Sequence, residues 1–331
     1  MKNLSIYFLL VVVFTACENE IPFNIKNNPP KLIINALLNS DNDENYVSLS
    51  LTGRDSITLV KEAQVNLYVN GDLKEQQTET NETLAYVLKS KFKPGDKVKI
   101  EVQTNDGKYH AWAEDIVPYP IEIEQVDTMS YIEGEWEWDY YTNKYMRFKT
   151  TFTDNSSDKN YYRLAVLRED TIYGTIVYSD IDTMLISKRS TYLYTNEDIV
   201  LNGGRIPIDD ENSLVNQAEN EFCVFDDSYL NGRYTMTVSS YIADHYIPSL
   251  LKNKRISTTL KVCLISITEA EYYYLRALNL YYSNNYEEYL SQPISFPGNV
   301  HGGIGIVGFE AGNSQAIRLP DSFPEDIPGG Y

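Results

Sequence analysis

Cationic side chains, cysteine and histidine are all scarce in this chain of 331 residues. Twenty-eight Lys and Arg stand against 47 Asp and Glu, a formal net charge of −19. A surface this acidic repels phosphate backbones, which argues against nucleic acid as a partner. It argues equally against direct adhesion to anionic lipid, and its plain consequence is solubility. The three histidines, His110, His245 and His301, are far apart. No HExxH and no paired-cysteine spacing occurs, so zinc catalysis has no basis in the sequence. No G-x-S-x-G elbow is present. Paired carboxylates for glycoside hydrolysis are defined by a separation that a sequence does not reveal. No catalytic residue, resident cofactor or metal site is assigned, and the chain is read as a non-enzyme.

Long apolar runs are also missing. The run from Ile6 to Phe14 is about nine residues, too short to cross a hydrocarbon core of ~30 Å as a helix. It follows Lys2 and ends in Phe14-Thr15-Ala16-Cys17. Residues 1–16 therefore read as a signal peptide. The small residues before Cys17 resemble a bacterial lipobox, although Phe14 stands where Leu is commoner. Acyl chains on Cys17 would hold the chain at a membrane, each buried CH₂ contributing ~0.8 kcal/mol. The bland alternative is an ordinary signal peptide with an incidental cysteine. Glu18, Asn19 and Glu20 resemble the surface-export signal of Bacteroidota lipoproteins. That implies an outer-membrane, surface-exposed location, with the periplasmic face as the alternative. Residues 17–30, with Pro22, Pro29 and Pro30, read as a tether.

Once Cys17 is set aside, Cys223 and Cys263 remain. An even remainder in an oxidising compartment permits one disulfide, and equally two buried thiols. Tyrosine is abundant, at 28 against 11 Phe and 3 Trp. It suits half-buried sheets and wet binding faces alike, so abundance does not separate core from site.

Strand patterning runs throughout. Lys31–Leu38, Tyr46–Leu51, Ala63–Val69, Leu84–Leu88, Lys97–Thr104 and Tyr109–Ile116 alternate between turn signals such as Asn70-Gly71-Asp72 and Pro94-Gly95-Asp96. This predicts an immunoglobulin-like β-sandwich over residues 31–118. After Pro118 and Pro120, further strands over 119–331 predict a larger β-sandwich-type domain. The expected class is all-β with one α-helix in the C-terminal region, about residues 268–284. There Thr268-Glu269-Ala270-Glu271 reads as a capping box, and Tyr274, Ala277, Leu278 and Tyr281 share a face expected to pack on a sheet.

Several motifs invite functional readings. Gly303, Gly305 and Gly308 have dinucleotide-binding spacing, but they lie in an alternating run with no helix opening after it. Glycines in a strand instead mark close backbone approach or a bulge. Acidic loops at Asp41–Glu44, Asp154–Asp158, Asp209–Glu211 and Asp226-Asp227 could supply some calcium ligands. Solvated turns are the default reading, and Asp226-Asp227, between strands, is the one to test. Trp136, Trp138 and Tyr140 would share one face of a strand. That face is either core or, at a hairpin tip, a surface for stacking on a sugar or docking a partner. His301, beside the glycine run, is a further candidate surface residue.

The order of short motifs resembles a known family. Ile265-Ser266-Ile267-Thr268 leads into Tyr272-Tyr273-Tyr274-Leu275, then Pro293-Ile294, Asn299-Val300 and Gly302 to Gly308. Upstream stand Phe225-Asp226-Asp227, Asn231-Gly232, Thr153-Asp154, Asn160-Tyr161-Tyr162 and Pro30 to Ala36. This order is similar to the Bacteroidota lipoprotein family called domain of unknown function 4249. The resemblance implies an outer-membrane lipoprotein encoded beside a TonB-dependent receptor. It would aid capture of a small-molecule, peptide or glycan ligand, or receptor assembly. The alternatives are a surface adhesin or pilus-type structural lipoprotein, and then a glycan-active enzyme.

Overall fold

The computed structural model describes residues 29–320, apart from 54–55, 134–142, 155–157, 180, 196, 203–218, 231, 242–250 and 283–295. Residues 1–16, expected to be a signal peptide, Cys17 and the segment carrying Trp136, Trp138 and Tyr140 lie outside the described residues. The architecture is mostly β, with one helix near the C-terminus.

The first half holds β1 (Leu32–Asn39), β2 (Asn45–Thr52), β3 (Ile57–Leu59), β4 (Ala63–Val69), β5 (Asp72–Gln77), β6 (Tyr86–Leu88), β7 (Lys97–Thr104) and β8 (His110–Ile116). The second holds β9 (Ile123–Glu133), β10 (Asn143–Thr153), β11 (Tyr161–Ile176), β12 (Asp182–Ser190), β13 (Val224–Asp226), β14 (Arg233–Tyr241) and β15 (Leu251–Ile267). A single 3-10 turn, Asp227–Tyr229, follows β13. Helix α1 (Glu269–Tyr282) and β16 (Ile304–Arg318) complete the order.

One nine-stranded sheet is the spine, in the order β12-β11-β15-β16-β1-β2-β3, with β13 on β11 and β6 on β2. A four-stranded sheet, β5-β4-β7-β8, packs on one half of it, and a three-stranded sheet, β14-β10-β9, on the other. Alternation dictates this. In β7, Val98, Ile100 and Val102 are fully buried while the lysines and glutamate between them face outward. The β4–β5 hairpin closes on Asn70 and Gly71 at φ 53° and 88°, the positive pair of a type I′ turn.

Two expectations need correction. The boundary near residue 118 is not a clean one, because β16 returns and pairs in parallel with β1, Ile33 opposite Ile304 through Asn39 opposite Glu310. Val307, Phe309 and Ala311 then fill the first core, and Ile317 and Leu319 pack on the second. Residues 31–118 alone do not complete the first sandwich; a strand from about 270 residues downstream does. The two cysteines are free thiols rather than a disulfide. Cys223 lies in the core between the sheets with Val262 and Leu264. Cys263, between those two on β15, points to the opposite face, so the sheet separates the sulfurs.

Gly305 and Gly308 of the glycine run lie in β16, and Gly303 just precedes it. A Cβ on Gly305, at φ 111°, would stand 2.2 Å from the Ile34 carbonyl oxygen. Close strand approach, not a bound pyrophosphate, explains it.

Candidate functional site

Tyrosines gather on the outer face of the three-stranded sheet. In β10, Met146, Phe148 and Phe152 face the core, which leaves Tyr145 and Arg147 facing outward. Tyr131 on β9 and Tyr241 on β14 both stand directly opposite Tyr145. Three rings therefore share one register across three strands. Tyr131 stacks on Tyr145 at 5.5 Å, and Tyr241 lies 5.6 Å from it on the other side. Directly opposed positions bring aromatic side chains into contact, which is how a sheet builds such a ladder.

The segment after β12 lengthens the row. Tyr194 exchanges backbone hydrogen bonds with Ser239 at 2.7 and 3.2 Å, and its ring meets Tyr145 edge-on at 5.7 Å. Tyr192 packs on Tyr194 at 5.1 Å. Asp198 pins the segment by accepting from the Thr237 and Val200 amides (2.8 and 3.0 Å) and the Tyr234 hydroxyl (3.1 Å). The Arg147 guanidinium sits 4.9 Å from the Tyr131 ring and donates to Glu197 at 3.0 Å, which also accepts from Ser239. Tyr192, Tyr194 and Tyr241 remain more than a third exposed.

The row ends at a groove. The Tyr192 hydroxyl donates to Glu219 at 2.9 Å, and Glu219 lines a cavity of about 460 Å³ between β13, the 3-10 turn and α1. Burial, then Glu219, push the Tyr192 hydroxyl pKa up, so it stays a donor. Two amides fix the cavity floor. Asn220 Nδ2 donates to the Leu201 and Val224 carbonyls, both at 2.8 Å, and its Oδ1 accepts from Asn279 at 2.8 Å. Asn279 Oδ1 accepts from the Phe222 amide at 3.1 Å. These side chains are consumed by the fold.

Arg276 is different. Its guanidinium donates to the Tyr272 hydroxyl at 3.2 Å and makes no ion pair among the described residues. Asp226 opposes it in charge but is occupied. It accepts from the Ser228 amide at 3.0 Å and lies 3.5 Å from the Lys159 ammonium. Burial disfavours its ionised form; the Ser228 hydrogen bonds and Lys159 outweigh that and hold its carboxyl below the usual range. The arrangement offers aromatic faces, hydroxyl groups and the Arg276 guanidinium, which has no ion pair among the described residues. It suits recognition of a polar, ring-bearing solute.

A separate buried pair sits where α1 meets the spine. Glu271 is fully buried, and neither of its oxygens has a conventional donor. Burial first, and then the negative charge and hydrogen bond of Glu310, raise its pKa well above the ordinary value, with Arg163 opposing. Glu310 takes the Asn39 amide at 3.0 Å and lies 3.5 Å from Arg163, whereas Glu271 is held as the acid. The expected capping box is therefore absent. Thr268 instead pairs with Phe309, its amide donating to the carbonyl at 3.2 Å and its hydroxyl accepting from the amide at 3.3 Å. Gly308 makes room, since a Cβ there would lie 2.5 Å from Glu271 Oε2.

His301, the one described residue of the candidate surface read from the sequence, does not line the groove. His301 stacks on Trp112 at 4.3 Å and exchanges backbone hydrogen bonds with it at 3.0 and 2.8 Å. It latches the returning chain to β8. Asp226 and Asp227 cap a turn and hold the Asn160 amide at 2.8 Å. Among the described residues no three acidic, His or Cys side chains gather to hold a metal. Trp136, Trp138 and Tyr140 fall in the segment joining β9 to β10, the strands that carry Tyr131 and Tyr145. The tyrosine row itself carried no sequence signal, because its members are up to 110 residues apart (241 minus 131).

A family model described as Domain of unknown function (DUF4249) matches residues 18–315. None of the curated proteins matches the chain.

Proposed function

The chain belongs to this family, and from that premise we propose that it is a non-enzymatic accessory lipoprotein that captures a polar, ring-bearing ligand. Lipid on Cys17 would hold it at the outer membrane beside a TonB-dependent receptor, to which the ligand passes. The observation that carries this reading is the row of tyrosines running into the groove at Glu219. Stacked rings present apolar faces rimmed by hydroxyls, which match the alternating faces of a sugar or an aromatic peptide side chain. Arg276, which lines the groove, would take a carboxylate or vicinal hydroxyls. The acidic surface keeps such a protein soluble above the membrane.

The test is calorimetry of the wild-type chain against a panel of neutral and acidic oligosaccharides and aromatic peptides. Tyr145→Ala and Tyr194→Ala should each weaken the best ligand by roughly tenfold, the size of a lost ring contact. Arg276→Ala should act on acidic ligands selectively. Wild-type affinity in all three variants rejects the site. Mass spectrometry of Cys17 and co-isolation with an outer-membrane receptor test the anchor and the partner separately.

A further inference from the structure

Strand β12 ends the nine-stranded sheet, and its one partner among the described strands is β11. Nearly every residue in it is exposed. Met184 and Ile186, on one face, are each 54% exposed, and Leu185, on the other, is 41% exposed. Both faces leave apolar side chains open to solvent. The ladder to β11 runs unbroken from Leu167 opposite Ser190 to Thr175 opposite Asp182. Edge strands usually carry proline, a bulge or inward charge to block further pairing. β12 has no proline and no bulge, and its centre, Thr183 to Ser187, has no charge.

The strand is also its own complement. In an antiparallel pair the hydrogen-bonded and non-hydrogen-bonded positions alternate. Two-fold symmetry therefore requires one residue opposite its own copy. With Leu185 at that point, Met184 meets Ile186, Thr183 meets Ser187 and Asp182 meets Lys188, each pair occurring twice. Opposed residues share a face, so acid, apolar pair and base on one copy align with base, apolar pair and acid on the other. Centring on Ile186 instead would set Lys188 against Met184 and Asp182 against Ser190. Centring on Met184 would set Asp182 against Ile186. Charge complementarity selects Leu185.

Contacts within the chain extend the pattern. Lys188 already lies 2.8 Å from Glu169 on β11, and Asp182 accepts from the Thr175 hydroxyl at 2.8 Å. A second copy would add Asp182 on the far side of Lys188, giving carboxylate, ammonium and carboxylate in a line across three strands. The strand carries one acid, Asp182, and two bases, Lys188 and Arg189, in a chain with 47 acids and 28 bases. The seam thus escapes the repulsion that the rest of the surface would impose.

We propose that β12 is a homodimerisation edge, pairing antiparallel with β12 of a second copy about Leu185 and joining the two spine sheets into one. Directly opposed Cα atoms stand about 4.5–5.5 Å apart, within disulfide reach. The full chain, purified in detergent, is the sample, with the wild type as the cysteine background. Under mild oxidation Leu185→Cys should form a covalent dimer. Thr183→Cys alone should not, and the double variant Thr183→Cys/Ser187→Cys should. Sedimentation should show that Lys188→Asp weakens the dimer by roughly tenfold, from two like-charge pairs. Asp182→Lys/Lys188→Asp should restore it. A monomer throughout overturns the proposal, as does equal cross-linking at 183 and 185. A Leu185→Cys adduct of any mass other than twice the chain also overturns it.

Discussion

Glu271 shows what one side chain reports about its surroundings. Its carboxyl is fully buried against Gly308 and Glu310, and it holds its proton above the ordinary 4.5. Below about pH 4.5 the folded and unfolded chains both carry that proton, and it has no effect on stability. Above that pH the unfolded chain releases the proton while the folded chain keeps it. Each further pH unit then lowers stability by about 1.4 kcal/mol, until the folded group also ionises. Glu271→Gln removes the titration and supplies an N–H for the Glu310 carboxylate. The two proteins should melt with their smallest difference near pH 4, and the variant should gain steadily toward neutrality. Thermal melts from about pH 4 to 8 decide it. A constant difference across that range would mean that Glu271 does not titrate as its burial dictates.

At the scale of elements, α1 shows both the reach and the limit of reading a sequence. Its bounds, Glu269–Tyr282, agree with the periodicity, and Tyr282 closes the described helix just before Ser283. Its buried face differs from the one the apolar residues indicate. Glu271, Tyr272, Leu275, Ala277 and Asn279 are buried, whereas Tyr281 is about half exposed. Periodicity counts polar residues as outward, and here two polar residues point inward: Glu271 against Glu310 of β16, and Asn279 onto Asn220 and the Phe222 amide in the segment before β13. Strands β4 and β7 were legible for the opposite reason: Val65, Leu67, Val98, Ile100 and Val102 fall at every second position and are fully buried. The tyrosine row was illegible because cross-strand register is a tertiary property. Asn279 makes the point testable. Asn279→Ala leaves the Phe222 amide without its acceptor and removes one of the two donors to Asn220 Oδ1, which keeps the Val224 amide at 3.0 Å. Unsatisfied buried groups of this kind cost about 1–3 kcal/mol. The unfolding free energy should fall by that amount, read as a lower denaturation midpoint at unchanged m-value. A drop below about 0.5 kcal/mol would mean that the amides do not set the groove floor.

For the molecule as a whole, β16 decides whether there are two domains or one. It pairs in parallel with β1 and antiparallel with β15, so it lies between the halves of the spine sheet. Val307, Phe309 and Ala311 fill the core under the four-stranded sheet, and Ile317 and Leu319 pack on the core under the three-stranded sheet. Phe309 is fully buried and meets Phe92 edge-on at 6.0 Å. Phe309→Ala should cost about 3–5 kcal/mol, from lost burial and the cavity left behind. Two independent domains would confine that loss to the first half. A shared strand predicts otherwise, because β16 cannot leave β1 without exposing its edge beside β15. Amide hydrogen exchange of the variant should therefore report lowered protection in β4 and β7 and, by a similar amount, in β10 and β11. If β10 and β11 keep wild-type protection while β4 and β7 lose it, the halves fold separately and the boundary near residue 118 is a true one after all.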